Sequence, residues 1–201
     1  MNLLDLSPMK AVAIDAAGRT ARVEAGCTLA DFDQAAQVHG LATPLGINSS
    51  TGVAGLALGG GYGWLSRRHG MTVDNLLSAE VVTPEAGRLR ASADENADLF
   101  WGIRGGGGNF GVVTSFEFDA VPLGPMVYAA APIYPMAAAE DVFRRWVSWS
   151  RTVDDKVTSR VLFWSFPDVE ALPEPLRGAD AVIIAALYAG PAGAGERALQ
   201  P

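Results

Sequence analysis

The spacing of apolar and polar residues predicts a hairpin followed by a helix at the start of the chain. Residues 11–14 and 20–24 alternate like two short strands, and Gly18 lies in the turn between them. Thr28 followed by Asp31 resembles a capping box, and apolar positions at helical spacing continue to residue 39. We therefore expect a hairpin packed against a short amphipathic helix.

Two segments crowded with glycine interrupt the regular pattern. Residues 45–63 have glycine at positions 46, 52, 55, 59, 60, 61 and 63, which predicts a shaped loop without regular helix or strand. Residues 76–83 and 88–92 read as a second antiparallel hairpin, and Ser92 is placed to cap a helix over residues 94–103. The second glycine segment, residues 105–111, leads directly into a strand over residues 112–118.

The composition changes after Pro125, where glycines become less frequent. The pattern beyond it predicts a strand over residues 127–134, a helix over 137–151, and strands over 157–166 and 181–188. Residues 191–201 resemble a turn and the first turn of a helix. We place a boundary at residues 122–125, which separates a region of residues 1–122 from one of residues 126–201.

Charge and residue counts exclude several classes of function. The net charge of −7 and a pI near 4.8 disfavour binding to nucleic acid or to an anionic membrane, and no apolar stretch approaches the length of a spanning helix. Cys27 is the only cysteine, and His39 and His69 are the only histidines, so a disulfide framework or a metal site is not expected. No basic-then-apolar leader opens the chain, which favours the cytoplasm, although a single cysteine leaves the redox compartment undetermined.

Gly106, Gly108 and Gly111 match the G-x-G-x-x-G pattern of dinucleotide-binding folds, but the context is reversed. That motif requires a strand before the loop and a helix after it, whereas here a predicted helix precedes the loop and a strand follows. Both glycine segments nevertheless provide backbone that a ligand can approach and amides that can bind an anionic diphosphate. The alternative is that these glycines only permit tight turns and close packing.

A series of further motifs lies at residues 3–9, 23–28, 39–44, 52–63, 74–76, 98–101 and 104–114. Taken together, these motifs closely resemble the FAD-binding domain of FAD-linked oxidases of the berberine-bridge-enzyme and vanillyl-alcohol-oxidase kind (PCMH-type). The similarity runs colinearly over roughly the first 120 residues, which makes it more specific than a single glycine motif.

The resemblance implies an α+β fold, namely the second subdomain of a PCMH-type FAD-binding domain followed by the start of an α/β substrate domain with an antiparallel sheet. Residues 1–122 would be a partial FAD-binding domain, and residues 126–201 a partial substrate or cover domain. By the same resemblance, the residues that would line the diphosphate and flavin are Gly46, Ser50, Thr51, Gly52, Gly55, Gly61, Tyr62 and Gly63, and the Val112 backbone would bond the adenine.

The chain departs from the family in features that bear on catalysis. The first FAD subdomain, with its arginine- and glycine-rich loop and flavin-linking histidine, has no counterpart, so we expect a fragment truncated at both ends. Asn48 stands where bicovalent members have a cysteine, so no covalent attachment residue is identified. The catalytic base of the family usually lies near its C-terminus, and no catalytic residue is assigned here.

These features lead to three hypotheses for function. The first is a fragment of an FAD-dependent oxidase or dehydrogenase of a small alcohol, sugar or secondary metabolite, inactive by itself. The second is a non-catalytic remnant, or a split half that needs a partner polypeptide supplying the missing subdomain. The third is a glycine-rich module that binds a sugar or nucleotide without redox chemistry.

Overall fold

The structure is a computed structural model that describes residues 3–85 and 87–199. The chain divides into two compact units, Met1–Pro125 and Met126–Pro201. Both units combine helices with antiparallel sheet, so the expected α+β class is confirmed.

Within residues 3–85 and 87–125, the first unit has seven strands and four helices. The strands are β1 (Val12–Asp15), β2 (Thr20–Glu24), β3 (Leu41–Ala42), β4 (Leu76–Thr83), β5 (Gly87–Ser92), β6 (Val112–Asp119) and β7 (Val121–Pro122). The helices are α1 (Leu29–Gln37), α2 (Val53–Leu58), α3 (Ser66–His69) and α4 (Ala97–Ile103), with single turns of 3-10 helix at Thr72–Asn75 and Gly107–Phe110.

Five of these strands form one antiparallel sheet in the order β1-β2-β6-β4-β5. Both predicted hairpins are confirmed, because β1 pairs with β2 and β4 pairs with β5. One face of the sheet carries the core, where Phe118 stacks between Phe32 and Phe116 at centroid distances of 5.6 and 5.8 Å. Strand β6 lies at the centre of the sheet, between β2 of the first hairpin and β4 of the second, and so joins the two hairpins.

The predicted capping box at the start of α1 is confirmed. The Thr28 N–H and hydroxyl each donate to Asp31 Oδ2 at 2.8 Å, and the Asp31 N–H donates back to the Thr28 hydroxyl at 3.3 Å. Leu29, Phe32 and Ala36 are buried along one side of the helix, which follows from their helical spacing.

Two local predictions for the first unit are wrong. Residues 45–63 are not all loop, because α2 forms inside them with Val53 and Ala57 buried one turn apart, and this burial offsets the low helix propensity of glycine. The helix predicted from residue 94 begins only at Ala97, since the Ser92 hydroxyl accepts the Asp94 and Glu95 N–H groups in a turn. Strand β6 ends at Asp119, and residues 121–122 form the separate short strand β7, which pairs with β3.

The second unit contains β8 (Tyr128–Ala130), β9 (Ile133–Pro135), α5 (Ala139–Ser150), β10 (Val157–Ser165), β11 (Asp180–Tyr188) and α6 (Ala192–Ala198). Strand β11 is central, with β10 on one side and β8 and β9 on the other, all antiparallel. The continuous strand predicted over residues 127–134 is wrong, because it is split before Ile133, where Pro132 has no N–H to donate to a ladder. The last segment forms seven helical residues, more than the single turn that we expected.

The aromatic stripe of α5 faces the sheet of this unit but is not fully buried. The Trp146 Nε1–H donates to the Ser159 hydroxyl at 3.1 Å, and Phe143 lies 6.5 Å from Phe163 between ring centroids. Trp146 and Trp149 are half-buried and line a cavity of about 540 Å³ between the helix and the sheet. Apolar residues at this spacing are ordinarily the buried face of a helix, whereas Trp146 and Trp149 are only half-buried here.

Candidate functional site

The first glycine segment is anchored to the start of α1. The Leu29 and Ala30 N–H groups donate to the Thr51 and Ser49 carbonyls at 2.9 and 3.0 Å, which supplies acceptors that the first turn of α1 otherwise lacks. In return, the Val53 N–H donates to the Cys27 carbonyl at 2.9 Å. These bonds fix where α2 begins relative to the core.

Five glycines of the two segments have uncovered backbone. At Gly52, Gly55, Gly105, Gly107 and Gly108, no atom of the described residues beyond the adjoining backbone lies within 4 Å of the position that a Cβ would take, and we call them the bare glycines. Helix α2 lies against the Gly107–Phe110 turn, so the bare glycines belong to neighbouring parts of the fold although 41 residues, 64–104, lie between the two segments. At each of them the backbone is left without a side chain and with open space beside it.

The amides at the start of α2 face the same region as Gly52. The hydrogen-bond ladder of α2 begins with the Leu56 N–H, which donates to the Gly52 carbonyl at 3.2 Å, so the Ala54 and Gly55 N–H groups precede it. Amides at the start of a helix carry partial positive charge and suit an anionic ligand.

Three glycines that we predicted to bind cofactor have mainly a packing role. A Cβ on Gly46 would press on Leu29 and Leu56, one on Gly61 would meet the Thr72 side chain, and one on Gly63 would collide with the Leu45 carbonyl. Gly61 and Gly63 are buried, and the Gly63 N–H already donates to the Ser66 hydroxyl at 2.9 Å. Contact of these three residues with a cofactor stays a prediction.

The other predicted site residues lie in different surroundings. Ser50 is exposed, and its N–H and hydroxyl both donate to Asn48 Oδ1, at 3.1 and 2.8 Å, in a turn that leads to Thr51 and Gly52. The Tyr62 side chain is 76% exposed. Val112 is half-buried at the start of β6, opposite Val82. The structure thus brings Ser50, Thr51, Gly52 and Gly55 into one stretch, and the adenine role of Val112 stays a prediction.

The G-x-G-x-x-G match has a structural explanation. Helix α4 precedes the loop and β6 follows it, which confirms the order that excluded a dinucleotide-binding helix. A Cβ on Gly102 or Gly106 would collide with the Phe110 ring, so these glycines make room for that aromatic side chain. Gly111, with φ +142°, packs on the Val82 carbonyl.

Sequence reasoning did not assign Gly105, Gly107 and Gly108 to the site. The glycine run itself was the available signal, but nothing in the run distinguishes these three from Gly106, where a Cβ would collide with the Gly102 carbonyl and the Phe110 ring. The open space at the Cβ positions of the three results from the fold of the Gly107–Phe110 turn, so the pattern alone could not separate them from Gly106.

The titratable groups add no further site in the described part of the chain. Cys27 is fully buried, as expected for a small apolar side chain, and burial raises the pKa of its thiol. Within residues 3–85 and 87–199, no three His, Cys, Asp or Glu side chains are grouped to hold a metal ion. Over the same residues, no helix has the length and apolar character needed to cross a bilayer.

These features fit a dinucleotide with an anionic diphosphate. Such a ligand needs amide donors and a backbone that it can approach closely, and a Cβ at any of the bare glycines would project into the space that it would use. The fold and the site therefore define a nucleotide-cofactor-binding unit of the α+β class, built without a Rossmann motif.

Comparison with known proteins identifies the family. A family model described as "FAD binding domain" matches residues 2–92. The (R)-6-hydroxynicotine oxidase of Paenarthrobacter nicotinovorans is 43% identical over 121 residues, which are 60% of this chain and 26% of that protein. The uncharacterized FAD-linked oxidoreductase YgaK of Bacillus subtilis is 36% identical over 167 residues, 81% of this chain and 37% of that protein.

Solved structures agree with the sequence relatives. The crystal structure of 6-hydroxy-D-nicotine oxidase from Arthrobacter nicotinovorans matches 98% of this chain and 42% of that one, with a TM-score of 0.83 and 30% identity. The BBE-like 1 protein of Physcomitrella patens matches 92% and 38%, with a TM-score of 0.79 and 28% identity. The chain belongs to the FAD-linked oxidoreductases of the berberine-bridge-enzyme type, whose cofactor is FAD. It spans between about a quarter and two fifths of the length of these relatives.

Proposed function

We propose that this chain is part of an FAD-dependent oxidase or dehydrogenase of a small alcohol, sugar or secondary metabolite. The observation that carries the proposal is the open backbone at the bare glycines, in two neighbouring parts of a family-typical fold. The similarity to an oxidase of 6-hydroxynicotine supports a small organic substrate and an oxidase reaction. When bound, FAD would accept a hydride from the substrate.

The residues of the first unit would bind and orient the cofactor. Gly52, Gly55 and the amides at the start of α2 would hold the diphosphate, because a charged oxygen there would accept from Ala54 and Gly55 N–H groups that have no backbone partner among the described residues. Gly105, Gly107 and Gly108 would let a second stretch of backbone approach the same ligand. The roles of Gly46, Gly61, Tyr62, Gly63 and Val112, and of residues 1–122 and 126–201 as cofactor and substrate domains, stay predictions.

Titration of the purified 201-residue chain with FAD, followed by flavin fluorescence, tests the cofactor part of the proposal. We expect saturable binding, with ADP as a competitor because it carries the same diphosphate. Riboflavin, which lacks a diphosphate, should bind more weakly than FAD. Binding of riboflavin as tight as that of FAD, with no competition by ADP, would contradict a diphosphate site at the bare glycines.

Anaerobic mixing of the FAD-loaded chain with alcohols, sugars and 6-hydroxynicotine tests the redox part. Bleaching of the flavin absorbance would show that the chain supports hydride transfer, and would refute the expectation that it is inactive by itself. Tight FAD binding without bleaching by any substrate would favour the alternative of a non-catalytic unit, or of one that acts with a partner polypeptide. A chain that binds ADP or a sugar but no flavin would favour the module without redox chemistry.

A further inference from the structure

The two glycine segments are joined through the Thr72–Asn75 turn. The Val73 N–H donates to the Gly60 carbonyl at 3.0 Å, and the Thr72 N–H donates to the Gly61 carbonyl at 2.8 Å. The first segment therefore rests on this turn just before it reaches the exposed Tyr62.

The turn itself is held by side chains of its own sequence. Asp74 Oδ2 accepts the Met71 N–H at 2.8 Å, and Asn75 Nδ2 donates to both the His69 and Met71 carbonyls at 2.9 and 2.8 Å. Asn75 is buried, so these bonds are shielded from competing water. These bonds hold the turn in one conformation, and the first glycine segment is bonded to it.

Arg104 connects the Thr72–Asn75 turn to the second glycine segment. It follows α4 and directly precedes Gly105. Its Nε–H donates to the Val73 carbonyl at 2.9 Å, and its Nη2 lies 3.4 Å from Asp74 Oδ1. The guanidinium also lies over the Phe100 ring, 5.4 Å from the centroid.

We infer that Arg104 is a positioning residue that orders both glycine segments before FAD binds, an inference that depends on the proposed function. Glycine backbone loses more conformational entropy on ordering than any other residue, and Gly60, Gly61, Gly105 and Gly107 all have positive φ. Bonds that order these segments during folding remove that cost from the binding step. Arg104 provides such bonds to the Thr72–Asn75 turn, to which the Gly60 and Gly61 carbonyls are also bonded.

The geometry requires arginine rather than a positive charge alone. The planar guanidinium reaches the Val73 carbonyl and the Asp74 carboxylate with different nitrogens while it stacks on Phe100. A lysine has a single nitrogen on a flexible stem, so it cannot reproduce this set of contacts.

The test compares R104M and R104K with the control R88M, in the full 201-residue chain. Arg88 also pairs with a carboxylate, with Nε 2.7 Å from Glu80 Oε2, but it lies on β5 and its partner lies on β4, not in the Thr72–Asn75 turn. The measurements are the FAD dissociation constant from flavin fluorescence, amide hydrogen exchange of the FAD-free proteins, and thermal unfolding.

We expect R104M to weaken FAD binding by about tenfold or more, the factor equivalent to one charge-assisted hydrogen bond. In R104M, amide hydrogen exchange should rise at residues 60–63 and 105–108. R104K should be intermediate in both FAD affinity and exchange. R88M should match the wild type. R104K equal to the wild type, or R104M with unchanged affinity and exchange, would overturn the inference. A fall in unfolding temperature without a local rise in exchange would also overturn it.

Two further outcomes remain decisive. If R104M does not fold, R104Q, which keeps a neutral donor for the Val73 carbonyl, gives the same comparison. If the wild type binds no FAD, the proposed function fails, whereas the exchange of the FAD-free proteins still decides whether Arg104 orders the two segments.

Discussion

The substitution G55A separates a cofactor site from an ordinary exposed glycine. Gly55 lies inside α2 without a positive φ, and a Cβ there meets no described atom within 4 Å. Alanine is more favourable than glycine within a helix by about 0.8–1 kcal/mol. We therefore expect G55A to be more stable than the wild type by roughly 0.5–1 kcal/mol, because α2 is short and its ends fray.

The same methyl group should weaken FAD binding. It would occupy the surface on which the proposed diphosphate lies, and a hydrogen bond to a charged group contributes about 1.5–3 kcal/mol. Loss of one such bond corresponds to a dissociation constant higher by about tenfold or more, since ~1.4 kcal/mol is a factor of ten. Greater stability with weaker binding is a combination that a purely structural role for Gly55 does not produce.

The assay pairs urea denaturation with FAD titration, and G193A is the matched control. Gly193 lies in α6, is exposed, and also has no described atom within 4 Å of its Cβ position. G193A should gain helix stability without any change in FAD affinity. If G55A binds FAD as tightly as the wild type does, the diphosphate does not lie on α2 and the reasoning is refuted.

Three further substitutions test the local structure by denaturation. G63A should lower the free energy of unfolding by about 3 kcal/mol or more, because its Cβ would collide with the Leu45 carbonyl. A variant as stable as the wild type would contradict that packing. T72V should raise the free energy of unfolding by about 1 kcal/mol, since the buried Thr72 hydroxyl has no hydrogen-bond partner among the described residues. A lower free energy of unfolding would show that the hydroxyl has a partner. The Thr28 N–H and hydroxyl donate to the Asp31 carboxylate and lower its pKa. The ionised carboxylate therefore stabilises the folded protein at neutral pH, and this stabilisation is lost as the pH falls through the lowered pKa. D31N should remove this part of the pH dependence, and identical wild-type and D31N profiles in acid would contradict it.

The sequence by itself determined the local elements and the family. The two hairpins and the capped helix α1 follow from alternation, turn residues and Thr28 with Asp31, which act between near neighbours in the chain. The colinear motifs identified an FAD-linked oxidoreductase before any geometry was considered, and the comparisons confirm it. Order along the chain also excluded the Rossmann interpretation of the second glycine segment.

Where local signals were weak, tertiary contacts decided the outcome. Helix α2 forms in a glycine-rich stretch because Val53 and Ala57 are buried in a core built from distant strands. The strand predicted over residues 127–134 divides into β8 and β9, which pair separately with the distant strand β11. Burial and pairing with remote residues are not encoded in a short window of sequence.

Only the tertiary structure distinguished glycines that pack from glycines that are bare. Gly63 and Gly55 are the same residue in the same segment, yet the first lies on the Leu45 carbonyl and the second has open space. Arg104 likewise gains its role only because Val73 and Asp74, about 30 residues away, fold beside it. What a glycine or an arginine does depends on which atoms surround it, and those atoms come from parts of the chain that only the fold brings together.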